Sequence, residues 1–341
     1  MALQTRQLRR LLEEEGVTVD FLATNGPYRP GWIGRVPVLR ALARLLPYFC
    51  HVWALAGRCQ VIHLMANSGW SWHLFSAPVL LLGSLRGTPV VVNYRGGEAQ
   101  VFFDRSYRWV RPAMQRAAAI VVPSAYLQQV FRSFGWEAEV VPNIIDRRVF
   151  HPAQESPGGT EAPLFVITRN LEQIYGIATA IEALAICRDR GLAPLLEIAG
   201  SGPEEEHLRE QCRELGVESR VRFLGRLERD EVVALYHRAF AMLNPTTVDN
   251  MPNSILEALA CGVPVISSNV GGVPFIVTDQ KTALLVPVGD SAALADAMER
   301  LMTDESLGKS MTKQGFESIC EYEWTQVAPR WLSVYAEAAK Q

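Results

Sequence analysis

The order of apolar segments predicts an α/β fold made of two doubly wound parallel sheets. Three observations support this fold class. Short apolar strands alternate with amphipathic helices along nearly the whole chain. A segment rich in proline, glycine and polar residues, 151–162, interrupts the alternation and indicates a linker. The length of 341 residues is enough for two domains, 1–150 and 163–320, each with its own core.

The first domain holds the first series of strands and helices. Its predicted helices are 5–16, 36–56, 71–85, 102–118 and 124–134, and its predicted strands are 17–24, 60–66, 89–94, 119–122 and 139–141. Ser124 is the expected N-cap of the last of these helices. Helix 36–56 is amphipathic, and we expect Arg40 and Arg44 on its polar side.

The second domain repeats the alternation after the linker. Its predicted strands are 164–168, 195–199, 220–224 and 263–267, and its predicted helices are 176–190, 204–215, 230–238 and 252–262. A final helix, 323–340, carries an apolar stripe that includes Trp324 and Trp331. Such a stripe must be buried against another part of the chain.

The segment from Asn244 to Gly272 predicts a loop, a helix and a short buried strand. Pro252 suits the first turn of the helix, where its missing N–H is no loss. The free N–H groups and the dipole at that helix start favour an anion such as a diphosphate. Asp249 and Glu257 are eight residues apart, and both can face one crevice as acceptors for sugar hydroxyls. An ordinary αβ unit with two unrelated acids is the alternative on spacing alone.

The run Asp249-Asn-Met-Pro-Asn-Ser-Ile-Leu-Glu257, followed by Ala-Leu-Ala-Cys-Gly-Val-Pro-Val, resembles a known signature. It is similar to the donor site of the retaining nucleotide-sugar glycosyltransferases of family 4, which have the GT-B fold. The resemblance implies two Rossmann-like domains with a cleft between them, and it is strong over 164–290 and weak over 1–150. Asp249 departs from the signature, because glutamate is usual there.

The resemblance also implies a donor site. Arg169 and the amides before Pro252 would bind the diphosphate, Glu257 the ribose hydroxyls, and Asp249 the sugar. The catalytic residues would be Asp249 and Arg169, and the donor-binding residues would be Arg169, Gly200, Ser201, Gly202, Leu224, Gly225, Asn250, Met251, Pro252, Asn253, Ser254 and Glu257.

One cation of the family's donor site is missing here. The family has a lysine several residues after the arginine, and Gln173-Ile174-Tyr175 stands in its place. Two explanations stay open: Tyr175 donates a hydrogen bond to the donor, or an arginine of the first domain reaches across. On the acceptor side the candidates are His63, His73, Arg95, Gly96 and Gly97. A lone histidine at a strand end is, however, more often structural.

The chemistry that the resemblance implies is front-face transfer with retention, in which the leaving diphosphate helps to deprotonate the acceptor hydroxyl. Positioning and charge stabilisation would be the task of the protein. No metal or cofactor is expected, since the sequence contains no Asp-x-Asp motif. The donor would be linked to UDP or GDP, and the acceptor would be a lipid-linked molecule, a saccharide or a small molecule. The alternatives are a non-catalytic homologue that binds a nucleotide sugar or a partner protein, and another GT-B chemistry.

The charge is unevenly divided along the chain. Residues 1–150 contain 17 arginines, no lysine and 9 acidic residues, a net charge of +8, whereas residues 151–341 have a net charge of −11. A basic first domain predicts an anionic partner such as a membrane surface, a lipid phosphate or a nucleic acid, with a solvated arginine-rich face as the alternative. Of these partners we expect the membrane surface and no nucleic acid. The six cysteines are scattered without a paired motif, which indicates a reduced, cytoplasmic protein. The basic first domain adds the expectation that the protein is peripheral on the inner face of the membrane.

Both ends of the chain carry expectations from the resemblance. Related chains begin with a strand and a glycine-rich loop, but here Met1 falls almost at the first helix. The start lies further upstream, the chain is trimmed, or this protein lacks the strand. Because that loop lines the reaction centre in the family, the activity of this chain is an open question. At the other end, residues 321–341 should cross back to the first domain, with Trp324 and Trp331 largely buried and at least one touching residues before 150.

Overall fold

A computed structural model describes residues 2–24, 37–154 and 162–341 of the chain, although it leaves out the side chains of residues 2–3 and 37–42. The chain divides into two compact units. Unit 1 comprises Met1–Ile144 and Trp324–Gln341, and unit 2 comprises Ile145–Glu323. Residues 145–150 were expected in the first domain but lie in unit 2, because Ile145 donates a backbone hydrogen bond to Tyr322 and packs in the core of unit 2 with Phe150.

Unit 1 is built on a parallel sheet of four strands in the order β1-β2-β3-β4. The strands are β1 Ile62–Ala66, β2 Val90–Tyr94, β3 Ala119–Val122 and β4 Glu139–Val140. The helices are α1 Ala2–Glu14, α2 Pro37–Ala56, α3 Ala77–Arg86, α4 Ala99–Met114 and α5 Ala125–Ser133, and a π-helix, Trp72–Ser76, leads into α3. Ser124 caps α5 as expected, since its hydroxyl accepts a hydrogen bond from the N–H of Leu127.

The predicted strand at 17–24 is absent, and this part of the prediction is wrong. Val17 and Val19 pack against the core beside α1, and the N–H of Val17 donates to the carbonyl of Leu12. The alternation of apolar residues therefore reflects a chain buried on one side. It does not reflect pairing with a neighbouring strand in the described residues.

Side chains alternate across the sheet of unit 1 and build a core on each face. Val90 and Val92 point into the cluster that includes Trp72 and Phe103. Val91, between them, belongs to the opposite cluster. The alternation follows from the period of two along a strand, and burial on both faces explains the run of three valines that begins β2.

Unit 2 has a parallel sheet of six strands in the order β10-β9-β8-β5-β6-β7. The strands are β5 Leu164–Thr168, β6 Leu195–Ala199, β7 Val221–Gly225, β8 Ala241–Asn244, β9 Val265–Ser268 and β10 Leu284–Val286. The helices are α6 Ile177–Asp189, α7 Glu205–Glu214, α8 Arg229–Arg238, α9 Asn253–Ala260, α10 Ser291–Thr303 and α11 Glu305–Ser318. Gly262 has a left-handed φ of 73° just after α9, which ends the helix as expected.

The last helix, α12 Trp324–Ala338, belongs to unit 1. Trp331 is fully buried, and its ring lies 4.8 Å from that of His63. Trp324 is only half-buried, and its indole N–H donates to Glu15 over 2.9 Å. The expected burial therefore holds for Trp331 but not for Trp324, whose polar N–H lies near the surface, where it binds a carboxylate.

We predict that Trp331→Ala destabilises unit 1 by about 3–5 kcal/mol, because it removes a large, fully buried ring from a closely packed core. The midpoint of chemical unfolding, followed by far-UV circular dichroism, measures the loss. Trp324→Ala is the matched control and should cost about 1 kcal/mol. Equal losses in the two variants would contradict the difference in burial.

Candidate functional site

The carboxyl edge of the sheet in unit 2 gathers the loops that carry the candidate residues. All six strands are parallel, so the loops after β5, β6, β7, β8 and β9 leave the sheet at the same edge. Ligands of open α/β sheets bind at this edge. The loops contain, in order, Arg169, Gly200 to Gly202, Asp249 and the pair Gly271 and Gly272, and Gly225 is the last residue of β7.

Arg169 and Asp249, predicted from separate motifs, form an ion pair. Their side chains are only 14% and 13% exposed, so the pair is largely shielded from solvent. The guanidinium carbon of Arg169 also lies 4.4 Å from the centre of the Tyr175 ring. Burial lowers the pKa of Arg169, and the neighbouring Tyr175, Tyr236 and Glu257 oppose that shift.

The loop that carries Tyr175 is held against the loop after β8. The residues Gln173–Tyr175 form a 3₁₀ turn. The carbonyl of Ile174 accepts hydrogen bonds from the N–H of Thr247 and from the hydroxyl of Thr246. Gly176 has a φ of 60°, and a Cβ there would collide with the carbonyl of Pro245. Tyr175 is therefore fixed beside Arg169.

Glu257 lies on α9 at the side of the same cluster. Burial raises the pKa of its carboxyl to about 7, and the positive charges of Arg229 and Arg169 oppose the shift. Arg229, at the start of α8, was not singled out from the sequence. Its charge acts on Glu257 through space, and a surface arginine at a helix start gives no sequence signal of that role.

Tyr236 connects the end of β5 to the start of α9. Its hydroxyl lies 2.6 Å from that of Thr168 and donates to the carbonyl of Ser254 over 3.2 Å. Burial raises the pKa of this phenol well above its usual range. The sequence analysis missed Tyr236, because a tyrosine on the apolar side of a helix has the pattern of an ordinary core residue.

Several buried polar atoms beside these loops find no hydrogen-bond partner within the described ranges, and the Nε of Arg169 and the hydroxyl of Ser254 are among them. Ser254 lies in the first turn of α9, which begins after Pro252 as expected. Unsatisfied buried polar groups are rare, and they are often found where a ligand completes the bonding.

The glycines of the two nucleotide-side loops are explained by close backbone packing. A Cβ on Gly200 would collide with the carbonyl of Arg169, and one on Gly202 with that of Leu171. The N–H of Gly200 donates to the carbonyl of Gly225 over 2.8 Å. The N–H of Leu171 donates to the carbonyl of Ser201 over 3.2 Å, so Ser201 also borders the loop of Arg169. Leu224 and Gly225 end strand β7.

A glycine pair after β9 clamps the loop of Asp249. A Cβ on Gly271 would collide with the carbonyl of Asp249, and one on Gly272 with that of Asn250. The N–H of Gly272 donates to the carbonyl of Asp249 over 2.9 Å. From the sequence this pair marked only the end of a strand. Met251 and Asn253 continue the clamped loop into α9.

The candidates of unit 1 fall into two groups. His63 is bonded on both ring nitrogens, to the Tyr335 hydroxyl over 2.6 Å and to the Asn93 amide over 3.1 Å. Its pKa is lowered to about 3 by burial and by the charge of Arg95. A neutral histidine held on both sides fits a structural role. His73 lies instead beside Phe102, with ring centres 5.9 Å apart.

Arg95 lies just after β2 and is bonded to amide side chains of unit 1. Its Nε donates to Asn93 over 3.0 Å, and its terminal nitrogen donates to Gln4 over 2.6 Å and to Asn143. Burial lowers its pKa to about 10. Gly96, next to it, is packed so closely against Ser68 that a Cβ would collide, whereas Gly97 is exposed.

Two family profiles together match nearly all of the chain. The family described as "Glycosyltransferase Family 4" matches residues 1–149, and "Glycosyl transferases group 1" matches residues 152–318. The chain belongs to the glycosyltransferases of family 4.

Among solved structures, the Anabaena protein HepE in complex with UDP-glucose is similar with a TM-score of 0.74 and 18% identity, over 96% of this chain and 88% of HepE. The sucrose-phosphate synthase of Thermosynechococcus elongatus has a TM-score of 0.70 and 21% identity, over 92% and 80%. The GT-B fold is thereby confirmed.

Curated relatives in sequence are themselves glycosyltransferases. The glycogen synthase of Mycobacterium tuberculosis is 28% identical over 284 residues, which are 78% of this chain and 67% of that enzyme. The D-inositol 3-phosphate glycosyltransferase of Corynebacterium diphtheriae is 34% identical over 141 residues, 41% of this chain and only a third of that enzyme. In the described parts of the family 4 chain, no group of three or more His, Cys, Asp or Glu residues could hold a metal ion.

We predict that Glu257→Gln stabilises the protein more at pH 8 than at pH 5. The carboxyl has a pKa of about 7 in the folded chain and about 4.3 when unfolded. Its ionisation above pH 5 therefore favours the unfolded state. The variant should gain about 1–3 kcal/mol of unfolding free energy relative to the parent between the two pH values.

Chemical unfolding at pH 5 and pH 8 measures this gain. Glu317→Gln is the matched control, because Glu317 is exposed on α11. It should show no pH-dependent difference from the parent. A Glu257→Gln variant that loses stability between pH 5 and pH 8 relative to the parent would contradict the burial of the carboxyl.

Proposed function

We propose that this family 4 glycosyltransferase transfers a sugar from a nucleotide-sugar donor to an acceptor hydroxyl with retention. The observation that carries the proposal is the cluster of Arg169, Asp249 and Glu257 at the carboxyl edge of the sheet in unit 2. Its spacing is that of the donor-site signature, and HepE, which has the same fold, is described in complex with UDP-glucose.

In the proposed donor complex, Arg169 and the amides at the start of α9 bind the diphosphate. The unsatisfied Nε of Arg169 supports this role, since a phosphate oxygen would supply the missing acceptor. Glu257 would accept hydrogen bonds from the ribose hydroxyls, and Asp249 with Asn250 and Met251 would hold the sugar. Ser254 and Asn253 lie in the first turn of α9, and there they would border the proposed diphosphate.

Transfer would then depend on positioning and charge stabilisation. When the diphosphate leaves, negative charge develops on its oxygens, and a fixed guanidinium and a helix start stabilise it without reorganisation. The acceptor hydroxyl would lose its proton to the leaving diphosphate. His73, Arg95, Gly96 and Gly97 are the proposed acceptor-side residues of unit 1. The geometry of His63 supports a structural role for it instead.

One observation favours a non-catalytic homologue that binds a nucleotide sugar or a partner protein. The place of the family's lysine is taken by the rigid turn of Tyr175, so the cluster has one cation fewer than the signature requires. A nucleotide sugar would still bind to such a site, but the leaving group would be less well stabilised. Donor hydrolysis or transfer, assayed over a panel of acceptors, separates the two candidates.

The cellular setting is proposed from the sequence and the thiols. Cys187, Cys212 and Cys261 are buried and free, and burial raises the pKa of each thiol. Unpaired thiols are usual in a reducing cytoplasm. The arginine-rich first domain supports a peripheral position on an anionic membrane, in the synthesis of a glycan, a glycolipid or a polysaccharide.

We predict that a nucleotide sugar of the correct base raises the melting temperature of the protein. A ligand at 100 times its dissociation constant adds about 2.7 kcal/mol to the unfolding free energy. A screen of UDP- and GDP-sugars by thermal shift identifies the base. If no member of either series changes the melting temperature, the proposed donor class is wrong.

We further predict that Glu257→Gln weakens nucleotide binding at pH 8 by about tenfold, because charge-assisted hydrogen bonds are about twice as strong as neutral ones. Parent affinity should rise from pH 6 to pH 8 as Glu257 ionises, while the variant stays constant. Glu317→Gln serves as the control in the same calorimetric titration. Unchanged nucleotide affinity in Glu257→Gln would show that Glu257 does not belong to the donor site.

Asp249→Asn should lower turnover more than nucleotide affinity, because its proposed contacts are to the sugar. The measurement is kcat and the donor dissociation constant of the same preparation, together with the anomeric configuration of the product by NMR. A product of inverted configuration would contradict retention. A variant that loses nucleotide affinity but keeps its kcat would contradict the placement of Asp249.

A further inference from the structure

The outward face of α2 is apolar. Between residues 43 and 56 the exposed positions recur every three or four residues, which places them on one side of the helix. These exposed residues are Ala43, Leu46, Pro47, Cys50, His51, Trp53 and Ala54. We expected Arg44 on the polar, outward side of this helix, but its side chain is half-buried and has a partner, so this expectation is wrong. The side chain of Arg40 lies outside the described residues.

A second apolar stripe runs along the neighbouring helix, which spans residues 70–86 and includes the π-helical turn. Trp70 is 78% exposed and Leu85 is 65% exposed, and Leu74 and Leu81 lie between them on the same side. Spacings of four, seven and four residues keep these side chains on one face. Unlike most surface helices, both helices thus present large apolar side chains to solvent.

The two stripes adjoin at the ends of the helices. The guanidinium of Arg86, at the end of α3, lies 4.8 Å above the ring of Trp53 on α2. The same guanidinium leaves no room for a Cβ on Gly57. Leu46, Trp53, Leu81 and Leu85 therefore belong to one surface, which we name the α2–α3 face. Nothing in the described ranges covers it.

The segment of the chain that contains the α2–α3 face is strongly positive. Residues 37–116 contain nine arginines and no lysine, against two acids, Glu98 and Asp104. The exposed arginines nearest along the chain are Arg58, after α2, and Arg86. A second copy of the chain would bring the same positive charge to this face, so the charge disfavours self-association. An anionic surface with an apolar interior complements both features.

We propose that the α2–α3 face docks on an anionic lipid bilayer. Leu46, Trp53, Leu81 and Leu85 enter the interface between headgroups and acyl chains, and Arg58 and Arg86 bind lipid phosphates. Tryptophan and arginine are the side chains that suit this depth, since each has an apolar or weakly hydrated body and a polar group. None of the described helices is long and apolar enough to cross a membrane, and the proposed helices lie along its surface. This proposal is independent of the nucleotide-sugar assignment.

Co-sedimentation of the full chain with vesicles tests the proposal. Vesicles of phosphatidylcholine with phosphatidylglycerol should bind the protein, and vesicles of phosphatidylcholine alone should bind it at least tenfold more weakly. Binding to the anionic vesicles should fall as salt rises from 50 to 500 mM, because exposed charges are screened over about 8 Å at physiological ionic strength. Equal binding to both kinds of vesicle, or to neither, would overturn the proposal.

Two pairs of substitutions assign the binding to this face. Leu46→Gln with Leu85→Gln should lower the partition coefficient about tenfold or more, since two leucines no longer enter the interface. Arg58→Gln with Arg86→Gln should remove most of the salt dependence. Leu195→Gln is the control: Leu195 is 37% exposed in unit 2 and should keep the parent's vesicle binding. All variants change exposed side chains, and their circular dichroism should match that of the parent.

The same variants also distinguish other occupants of the face. If Leu46→Gln with Leu85→Gln leaves vesicle binding unchanged and converts a dimer into a monomer on a sizing column, the face is an interface between copies, and the proposal fails. If vesicle binding is lost equally in Leu195→Gln, the α2–α3 face is not the docking surface. Quenching of tryptophan fluorescence by brominated lipid should weaken in Trp53→Phe, and an unchanged quenching would also contradict the docking.

Discussion

The ion pair of Arg169 and Asp249 is the contact on which the candidate site of unit 2 depends. A largely buried guanidinium is unfavourable without a partner, so the loop after β8 must bring a carboxylate to it. Two features hold the ion pair in place. The ring of Tyr175 lies on one side of Arg169, and the pair Gly271 and Gly272 packs closely against the backbone of the Asp249 loop. In the proposed function a diphosphate would share or replace this carboxylate as the partner of Arg169, which would release Asp249 to hold the sugar.

The central elements of both sheets could be predicted from sequence, because strands buried on both faces are short apolar runs between glycines and polar turns. The cap of α5 and the glycine end of α9 followed from local chemistry in the same way. The strand at 17–24 could not be excluded from sequence, since one-sided burial gives the alternation of a strand whether or not a neighbour exists.

The site was only partly accessible to sequence reasoning. A sequence signature reveals its acids and its arginine. It does not reveal contacts between residues that are distant in sequence, such as those of Tyr236, Arg229 and the pair Gly271 and Gly272. The outward face of α2 was misjudged for a related reason. A helix that is apolar on most sides does not reveal which side faces the core, and the charge of Arg44 suggested the wrong one.

The α2–α3 face and the acceptor candidates meet within unit 1. Trp70 begins the apolar stripe, and it follows the loop Asn67-Ser68-Gly69 at the carboxyl end of β1. The same loop packs against Gly96, next to Arg95. A bilayer on this face would therefore lie beside the edge of the sheet where an acceptor is proposed to bind. Of the acceptor classes that the family allows, this arrangement favours a lipid-linked one.

The most direct measurement of the central claim compares a nucleoside diphosphate with its nucleoside. Calorimetry on the parent and on Arg169→Gln, with UDP and uridine or with GDP and guanosine, isolates the contact to the diphosphate. The account predicts that the variant loses at least tenfold in affinity for the diphosphate and little for the nucleoside, because the proposed contacts of Arg169 are to the phosphates alone. Equal losses for both ligands, or parent-like affinity for the diphosphate, would contradict a donor site built on Arg169.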